Sequence, residues 1–297
     1  MRVLGIDIGF GSVKVYSDNL EYKFPTAIAY MPDDEVMEVE KVNVGGRYFI
    51  IGRDVKYAAS FKVEIPSVRD LVRWSGVFLK YVIDKFGNFN VIVSGLPPNA
   101  KSYVSEFETV LRSVSSDAKI EILPQGLGIL YDVVEKEPLL NEAMIVDIGY
   151  NTVDCLVVEK VEDVWKKKRG ITIEGYGVMK AVSLMREIFP SEMSFFKNWS
   201  LSRLMETFET GFSVVDGEKI DLSGYKSEAI RRYEEVLIAR LRSELGNDFR
   251  DVGSVVFAGG GAYYVSEKHF GKKVIIPEKP EFSQARGYYI AGQFVSD

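Results

Sequence analysis

The sequence predicts an α/β protein made of two similar halves, and three observations carry that expectation. Strand-like and helix-like stretches alternate in two successive series. A short signature occurs once in each series: an apolar strand ending in Asp, a glycine turn, then a second strand. A third glycine cluster, Gly259-Gly260-Gly261, follows a late apolar strand.

Taken in chain order, the apolar run from Val3 and the alternating run from Ser12 are strands flanking a glycine-rich turn. Residues 24–60 mix short apolar runs with Gly45-Gly46 and an acidic patch at Asp33, Asp34 and Glu35, a pattern for a small insertion of strands and loops. Val68 to Phe86 repeats apolar residues at helical spacing. A strand from Val91 ends at Leu96-Pro97-Pro98, a helix follows near Ser102 to Val114, and another strand starts at Lys119. Pro124 is expected to open the next helix, because proline is tolerated in a first turn.

The second series begins with strands from Ala143 and Thr152 around Gly149-Tyr150-Asn151, then a strand from Ile171 and helices through Met185 and Leu204. A long charged helix is expected over 226–245, a strand from Ser254 into the glycine cluster with a helix start at Ala262, and a last helix over 282–294. The halves are placed at 1–141 plus 281–297, with an insertion at about 25–64, and at 142–280, with an insertion at about 185–250.

The 297 residues are 46% apolar and 27% charged, enough to bury a core and keep a solvated surface. The net charge of −6 gives no global attraction to nucleic acid or an anionic membrane. A single cysteine, Cys155, excludes an internal disulfide and fits a reducing compartment. The first ten residues do not read as a signal peptide, and no apolar run approaches the roughly 20 residues that span a bilayer. A cytoplasmic protein without membrane partners is the expectation. Scarce glutamine with abundant Lys, Arg and Glu points to a hot growth temperature.

The two hairpins carry the chemistry. Asp7-Ile8-Gly9-Phe10-Gly11-Ser12-Val13-Lys14 corresponds to Asp147-Ile148-Gly149-Tyr150-Asn151-Thr152-Val153-Asp154. An aspartate in an apolar strand is costly to bury unless a cation or hydrogen-bond donors meet it. Glycine turns let backbone N–H groups approach a ligand closely, and successive N–H groups form a concavity for phosphate oxygens. Two such turns would clamp a polyphosphate, and two carboxylates would hold hydrated Mg²⁺. A single Asp-x-Gly turn is usually only a hairpin; the repetition, one per half, favours phosphate binding. Gly259-Gly260-Gly261 would bring backbone against a nucleoside or an α-phosphate. Neither a G-x-x-x-x-G-K-[ST] loop nor G-x-G-x-x-G is present.

These motifs together resemble the actin, heat-shock chaperone and sugar kinase superfamily: first phosphate motif at Asp7 to Lys14, second at Asp147 to Asp154, adenosine motif at Gly259 to Gly261. Gly95-Leu96-Pro97, Leu123-Pro124-Gln125-Gly126 and Gln284-Ala285-Arg286-Gly287-Tyr288 are similar to the plasmid-segregation actins and their archaeal relatives. The resemblance implies an actin-like fold, two duplicated ribonuclease-H-like lobes flanking a nucleotide cleft. It implies that Asp7 sits beneath Mg²⁺ and its waters and that Lys14 reaches the β-phosphate. Gly9, Gly11, Ser12, Gly149, Asn151 and Thr152 would serve the phosphates, and Gly259, Gly260 and Gly261 the nucleoside. Gln125 matches the residue that orients the attacking water, while Asp147 holds metal water or polarises that nucleophile. Glutamine cannot act as a general base, so its role is positioning and hydrolysis is slow.

The family usually carries serine where this chain has Phe10, which removes a hydroxyl that senses the γ-phosphate and leaves open whether Ser12 replaces it. Three functions share such a fold: an ATPase that polymerises, for plasmid or DNA segregation or as a prokaryotic cytoskeleton; a sugar-type kinase; and a non-polymerising nucleotide switch. The first is favoured by the Gln125-Gly126 helix start and the Arg286-Gly287 segment, and the chaperone version is disfavoured because the chain ends soon after its last helix. The motifs do not separate ATP from GTP, and a DNA-binding adaptor protein is implied only by resemblance. His269 reads as a surface residue, Cys155 as a small buried hydrophobe, and Lys166-Lys167-Lys168-Arg169 as a charged hairpin tip before Gly170.

Overall fold

A computed structural model describes residues 1–31, 38–266 and 271–295. The acidic patch at Asp33, Asp34 and Glu35 and the lone His269 lie outside the described residues. The chain divides into two compact units, Met1–Leu140 with Pro277–Asp297, and Asn141–Ile276.

The first unit contains β1 (Val3–Ile8), β2 (Ser12–Ser17), β3 (Leu20–Pro25), β4 (Ile28–Tyr30), β5 (Lys41–Val44), β6 (Arg47–Ile51), α1 (Val68–Phe86), β7 (Val91–Leu96), α2 (Val104–Arg112), β8 (Lys119–Pro124) and α3 (Leu127–Val134). Its main sheet has the order β3-β2-β1-β7-β8, and β4-β6-β5 form a small second sheet within the expected insertion. The pairs β1/β2 and β2/β3 are antiparallel, β1/β7 and β7/β8 parallel. The central strands β1 and β7 are buried along their whole length, as continuous apolar runs covered on both faces require. Beside them β2 alternates between buried and half-buried positions. Ser67 caps α1 by accepting from the Asp70 N–H, and Gly87 stops it at φ 85°.

The second unit contains β9 (Glu142–Ile148), β10 (Thr152–Val161), β11 (Val164–Glu174), α4 (Val178–Ile188), α5 (Ser194–Lys197), α6 (Leu201–Thr210), β12 (Phe212–Val215), β13 (Glu218–Asp221), α7 (Ser223–Leu245), α8 (Asn247–Asp251), β14 (Ser254–Ala258) and β15 (Lys273–Ile275). Its sheet order, β11-β10-β9-β14-β15, repeats that of the first unit strand for strand. The directions repeat too: antiparallel for β9/β10 and β10/β11, parallel for β9/β14 and β14/β15. Tyr233, Leu237 and Leu241 of α7 and Val182 and Met185 of α4 share one core with Val146, Val153 and Phe257 of the sheet.

The chain returns to the first unit in α9 (Ser283–Phe294), which packs on α3 and on β1, β2 and β7. Glycines make this approach possible. A Cβ on Gly287 would lie 1.6 Å from the Gly128 carbonyl oxygen, and one on Gly5 would lie 2.0 Å from the Ala285 carbonyl oxygen.

Four expectations need correction. Pro124 does not open a helix: it ends β8, an edge strand paired at Leu96, where a missing N–H is tolerated. The helix expected from Ser102 begins at Val104, after a 3-10 segment over Pro98–Tyr103. No α-helix starts at Ala262; Gly260–Tyr264 is a single short 3-10 segment. Lys166-Lys167-Lys168-Arg169 lies within β11 rather than at a tip, because the hairpin turns earlier, at Glu162 and Asp163, both with positive φ. Lysines along an edge strand oppose its pairing with another chain.

Candidate functional site

Within the first unit, the β1–β2 hairpin puts Asp7 directly opposite Lys14. Directly opposed residues share a face of the sheet, and the Lys14 Nζ lies 2.9 Å from Asp7 Oδ2 with Asp7 only 5% exposed. The ammonium also overhangs the turn, 3.3 Å from where a Gly9 Cβ would be. The turn is closed by the Gly9 N–H donating to the Ser12 carbonyl, 3.2 Å. Among the described residues, the N–H groups of Phe10 and Gly11 donate to no carbonyl. Thr26 fixes the turn from behind: its N–H donates to the Gly11 carbonyl and its hydroxyl to the Gly9 carbonyl. Gln125 lies between β8 and α3, and its Nε2 donates to Asp7 Oδ1 over 3.4 Å, at the long end of a hydrogen bond. Asp7, Gly9, Lys14 and Gln125 are thus brought together in one unit.

Within the second unit, the β9–β10 hairpin repeats the arrangement. The Gly149 N–H donates to the Thr152 carbonyl, 2.9 Å, and the N–H groups of Tyr150 and Asn151 donate to no carbonyl among the described residues. The position opposite Asp147 holds Asp154, whose carboxylate accepts from the hydroxyls of Thr172, 2.5 Å, and Thr152, 3.4 Å. Burial, then the carboxylate of Glu209, raises the Tyr150 phenol above its ordinary range.

The glycine cluster packs against this hairpin. Gly259 has φ 77°, and a Cβ there would lie 2.3 Å from Asp147 Oδ1; a Cβ on Gly261 would lie 2.1 Å from Ile148 Cγ2. Gly260 meets nothing within 4 Å. Asp147, Gly149, Asn151, Thr152 and the three glycines therefore gather in the second unit, and the two residues expected to act on water, Gln125 and Asp147, belong to different units.

Gly177, Thr26 and Gln284 have site contacts that local reading does not assign. A Gly177 Cβ would meet the Gly149 carbonyl oxygen at 2.6 Å, and the N–H groups of Gly177, Val178 and Met179 donate to the carbonyls of Asn151, Gly149 and Tyr150. The first N–H groups of α4 thus fix the carbonyl side of the second turn, which leaves its N–H side for a ligand. The only hint in the sequence is the Gly175-Tyr176-Gly177 run after a strand. Thr26 carries no motif of its own.

In the first unit a turn whose successive N–H groups donate to no carbonyl among the described residues stands beside a buried carboxylate and an ammonium, which fits phosphate oxygens and the waters of a hydrated metal. In the second unit a like turn, with Gly259 and Gly261 closed to side chains behind it, fits phosphate oxygens. Among the described residues no three His, Cys, Asp or Glu side chains converge as a metal cluster. Hydrated Mg²⁺ needs none, since it is held through one or two carboxylates plus substrate phosphates. Among the described residues no helix is long and apolar enough to cross a membrane.

Comparison with solved structures defines the class. The chain matches the 15-stranded ParM filament from Clostridium botulinum with a TM-score of 0.74 and 19% identity over 99% of both chains. It matches the archaeal actin homolog Ta0583 with a TM-score of 0.75 and 17% identity, over 99% of this chain and 100% of that one. The ADP complex of Ta0583 matches with a TM-score of 0.74 and 16% identity over the same shares. The fold is the actin fold.

Residues 5–128 match the family described as "Actin like proteins N terminal domain", and residues 145–269 match "Archaeal actin homologue MreB-like, C-terminal". The chain belongs to the actin-like proteins. A "UPF0200 protein" of Thermococcus onnurineus (strain NA1) is 30% identical over 106 residues, 34% of this chain. The chain spans 56% of the length of that curated relative, whose name states no activity.

Proposed function

We propose that the chain is a slow, Mg-dependent actin-like ATPase that assembles with copies of itself into filaments, for DNA segregation or as a cytoskeletal element in the cytoplasm. The observation that carries this reading is the duplicated hairpin. On two sheets of identical order, an aspartate precedes a glycine turn with two successive unpartnered N–H groups.

In the first unit we assign Asp7 to the water shell of Mg²⁺, Lys14 to the β-phosphate, and Gly9, Gly11 and Ser12 to phosphate oxygens. In the second unit Gly149, Asn151 and Thr152 take phosphate oxygens, and Gly259, Gly260 and Gly261 admit the nucleoside. Bound Mg²⁺ would offset the charge of the β- and γ-phosphates. Gln125 orients the attacking water, and Asp147 holds metal water or polarises the same nucleophile. The water oxygen bonds to the γ-phosphorus, the bond to the bridging oxygen breaks, and the proton leaves with inorganic phosphate. With no strong base among Gln125, Lys14 and Asp7, turnover is slow, which suits a filament timer.

The ADP in the Ta0583 complex and the filament of the botulinum protein support nucleotide binding and self-assembly here. ATP is the proposed nucleotide, with GTP not separated, and an adaptor protein rather than this acidic chain is proposed to contact DNA.

The test is light scattering with Mg-ATP, with Mg-ADP and with a non-hydrolysable analogue, read beside phosphate release. A rise with ATP or the analogue that decays as phosphate appears supports the reading. Nucleotide binding without any rise overturns the filament, and ADP release that depends on an added sugar points to a kinase.

A further inference from the structure

The segment Gln284-Ala285-Arg286-Gly287-Tyr288 of α9 has no part in the chemistry above, yet it is built into the place where Gln125 is held. Gln284 is 3% exposed. Its Oε1 accepts from the backbone N–H of Gly126 over 2.9 Å, across 158 residues of sequence. Gly126 stands at φ 91° immediately before α3, and the N–H of its neighbour Gln125 donates to the Leu96 carbonyl, 2.8 Å. The backbone on both sides of the Gln125 side chain is therefore fixed, by β7 on one side and by Gln284 on the other.

The other end of the Gln284 amide sharpens the point. Its Nε2 is buried with no hydrogen-bond partner among the described residues. A buried donor left unpaired costs free energy, and a leucine or methionine of similar volume would not incur that cost. The amide is retained here for its oxygen. The Nε2 packs against the start of α3, where a Cβ on Gly128 would lie 2.5 Å from it. One turn further along α3, Asp132 accepts from Ser283 Oγ, 2.6 Å, and from Arg286 Nε and Nη2, both 2.7 Å. Three neighbouring residues of α9 thus hold α3 at its start and in its middle.

We infer that Gln284 is a positioning residue: through the Gly126 N–H it sets the turn that aims the Gln125 amide. The inference rests on the proposed role of Gln125 in orienting water. Displacing a catalytic amide by about 1 Å can cost on the order of a hundredfold in rate. Nucleotide affinity, which depends on the glycine turns, stays unchanged.

The experiment compares Gln284→Leu and the milder Gln284→Asn, too short to reach Gly126, with wild type, Gln125→Ala and the double variant Gln125→Ala/Gln284→Leu. It reads phosphate release at saturating Mg-ATP, the Kd of a fluorescent ATP analogue, and hydrogen exchange of the Gly126 amide. The expected result is a fall in kcat of about tenfold to a hundredfold, a Kd within about twofold, faster exchange at Gly126, and a double variant no slower than Gln125→Ala. Unchanged kcat, or a further loss in the double variant that multiplies the single ones, overturns the inference while leaving the proposed function standing. A fall in affinity that accounts for the lost turnover would mark Gln284 as merely structural and overturns it too. Wild-type turnover in Gln125→Ala removes the proposed role of Gln125 itself, and the inference with it. If Gln284→Leu does not fold, Gln284→Asn gives the same comparison.

Discussion

Asp7 and Lys14 face each other across the β1–β2 hairpin with 2.9 Å between carboxylate and ammonium, whereas the equivalent pair in the second unit, Asp147 and Asp154, consists of two carboxylates. The duplication has kept the backbone and changed the sign of one partner. The first turn therefore carries a cation beside its N–H groups, where the second carries a second acid. Lys14→Met should accordingly weaken nucleotide binding by about tenfold or more, the loss of about one charge-assisted contact. Titration calorimetry with Mg-ADP would reveal it. Affinity within twofold of wild type would show that Lys14 serves only to neutralise Asp7.

Asp147 is half-buried at the end of β9, with the Gly259 backbone against its carboxylate. Asp147→Ala should abolish phosphate release while the protein keeps its circular-dichroism spectrum and melts within a few degrees of wild type. Turnover at the wild-type rate would remove Asp147 from the assigned chemistry.

The requirement at Gly259 is doubly strict. At φ 77° an L side chain is strained, and its Cβ would fall on Asp147 Oδ1 and the Ile148 carbonyl. Gly259→Ala should cost roughly 1–3 kcal/mol of stability and displace the Asp147 carboxylate, so turnover should fall more than stability predicts. Gly260→Ala, at a position open to space, is the control and should leave the melting temperature unmoved. Equal effects of the two substitutions would contradict the packing described.

What could be read from sequence follows from how local each cause is. The hairpins at Asp7 and Asp147 announce themselves because strand, turn and strand lie within eight residues. The two sheets follow from alternation of apolar segments. The basic run of β11 looks like a tip in sequence because the turn before it uses Glu162 and Asp163 at positive φ, where glycine would ordinarily mark the spot. Pro124 is ambiguous in sequence because proline suits a first helical turn and an edge-strand end equally well. Gly177 and Gln284 act through partners 26 and more residues away, Asn151 and Gly126, and nothing beside them in the sequence declares those contacts.

Cys155 supplies a prediction on pH. Burial, and after it the carboxylates of Asp154 and Asp147, push its thiol well above the ordinary range. The folded thiol stays protonated where the unfolded one ionises, so its contribution to stability is intact at neutral pH and is lost progressively as pH rises above 9.0, where an unperturbed thiol ionises. At pH 8 an aromatic disulfide reagent should leave native protein unmodified and react with one equivalent in denaturant. Rapid reaction of the native protein would contradict the burial of β10.

The pair Asp132–Arg286 gives a large expected loss of stability in the first unit. Asp132 is 1% exposed and accepts two hydrogen bonds from the guanidinium and one from Ser283, while Lys136 stands 3.5 Å away. Arg286 also donates to the Glu278 carbonyl, 2.9 Å, so its removal leaves the buried carboxylate only Ser283 and the more exposed Lys136 among the partners named here, and frees the segment before α9. Breaking a buried pair from one side costs about 3–5 kcal/mol. Arg286→Met should fall in that range by urea unfolding. Arg286→Lys should recover only part of it, because an ammonium cannot reproduce the two-pronged contact. Asp132→Asn combined with Arg286→Met should be less damaging than Arg286→Met alone, since no charge is then left buried. A double variant as unstable as the sum of its parts would mean that the two side chains act independently, and that α9 is held by its glycine contacts instead.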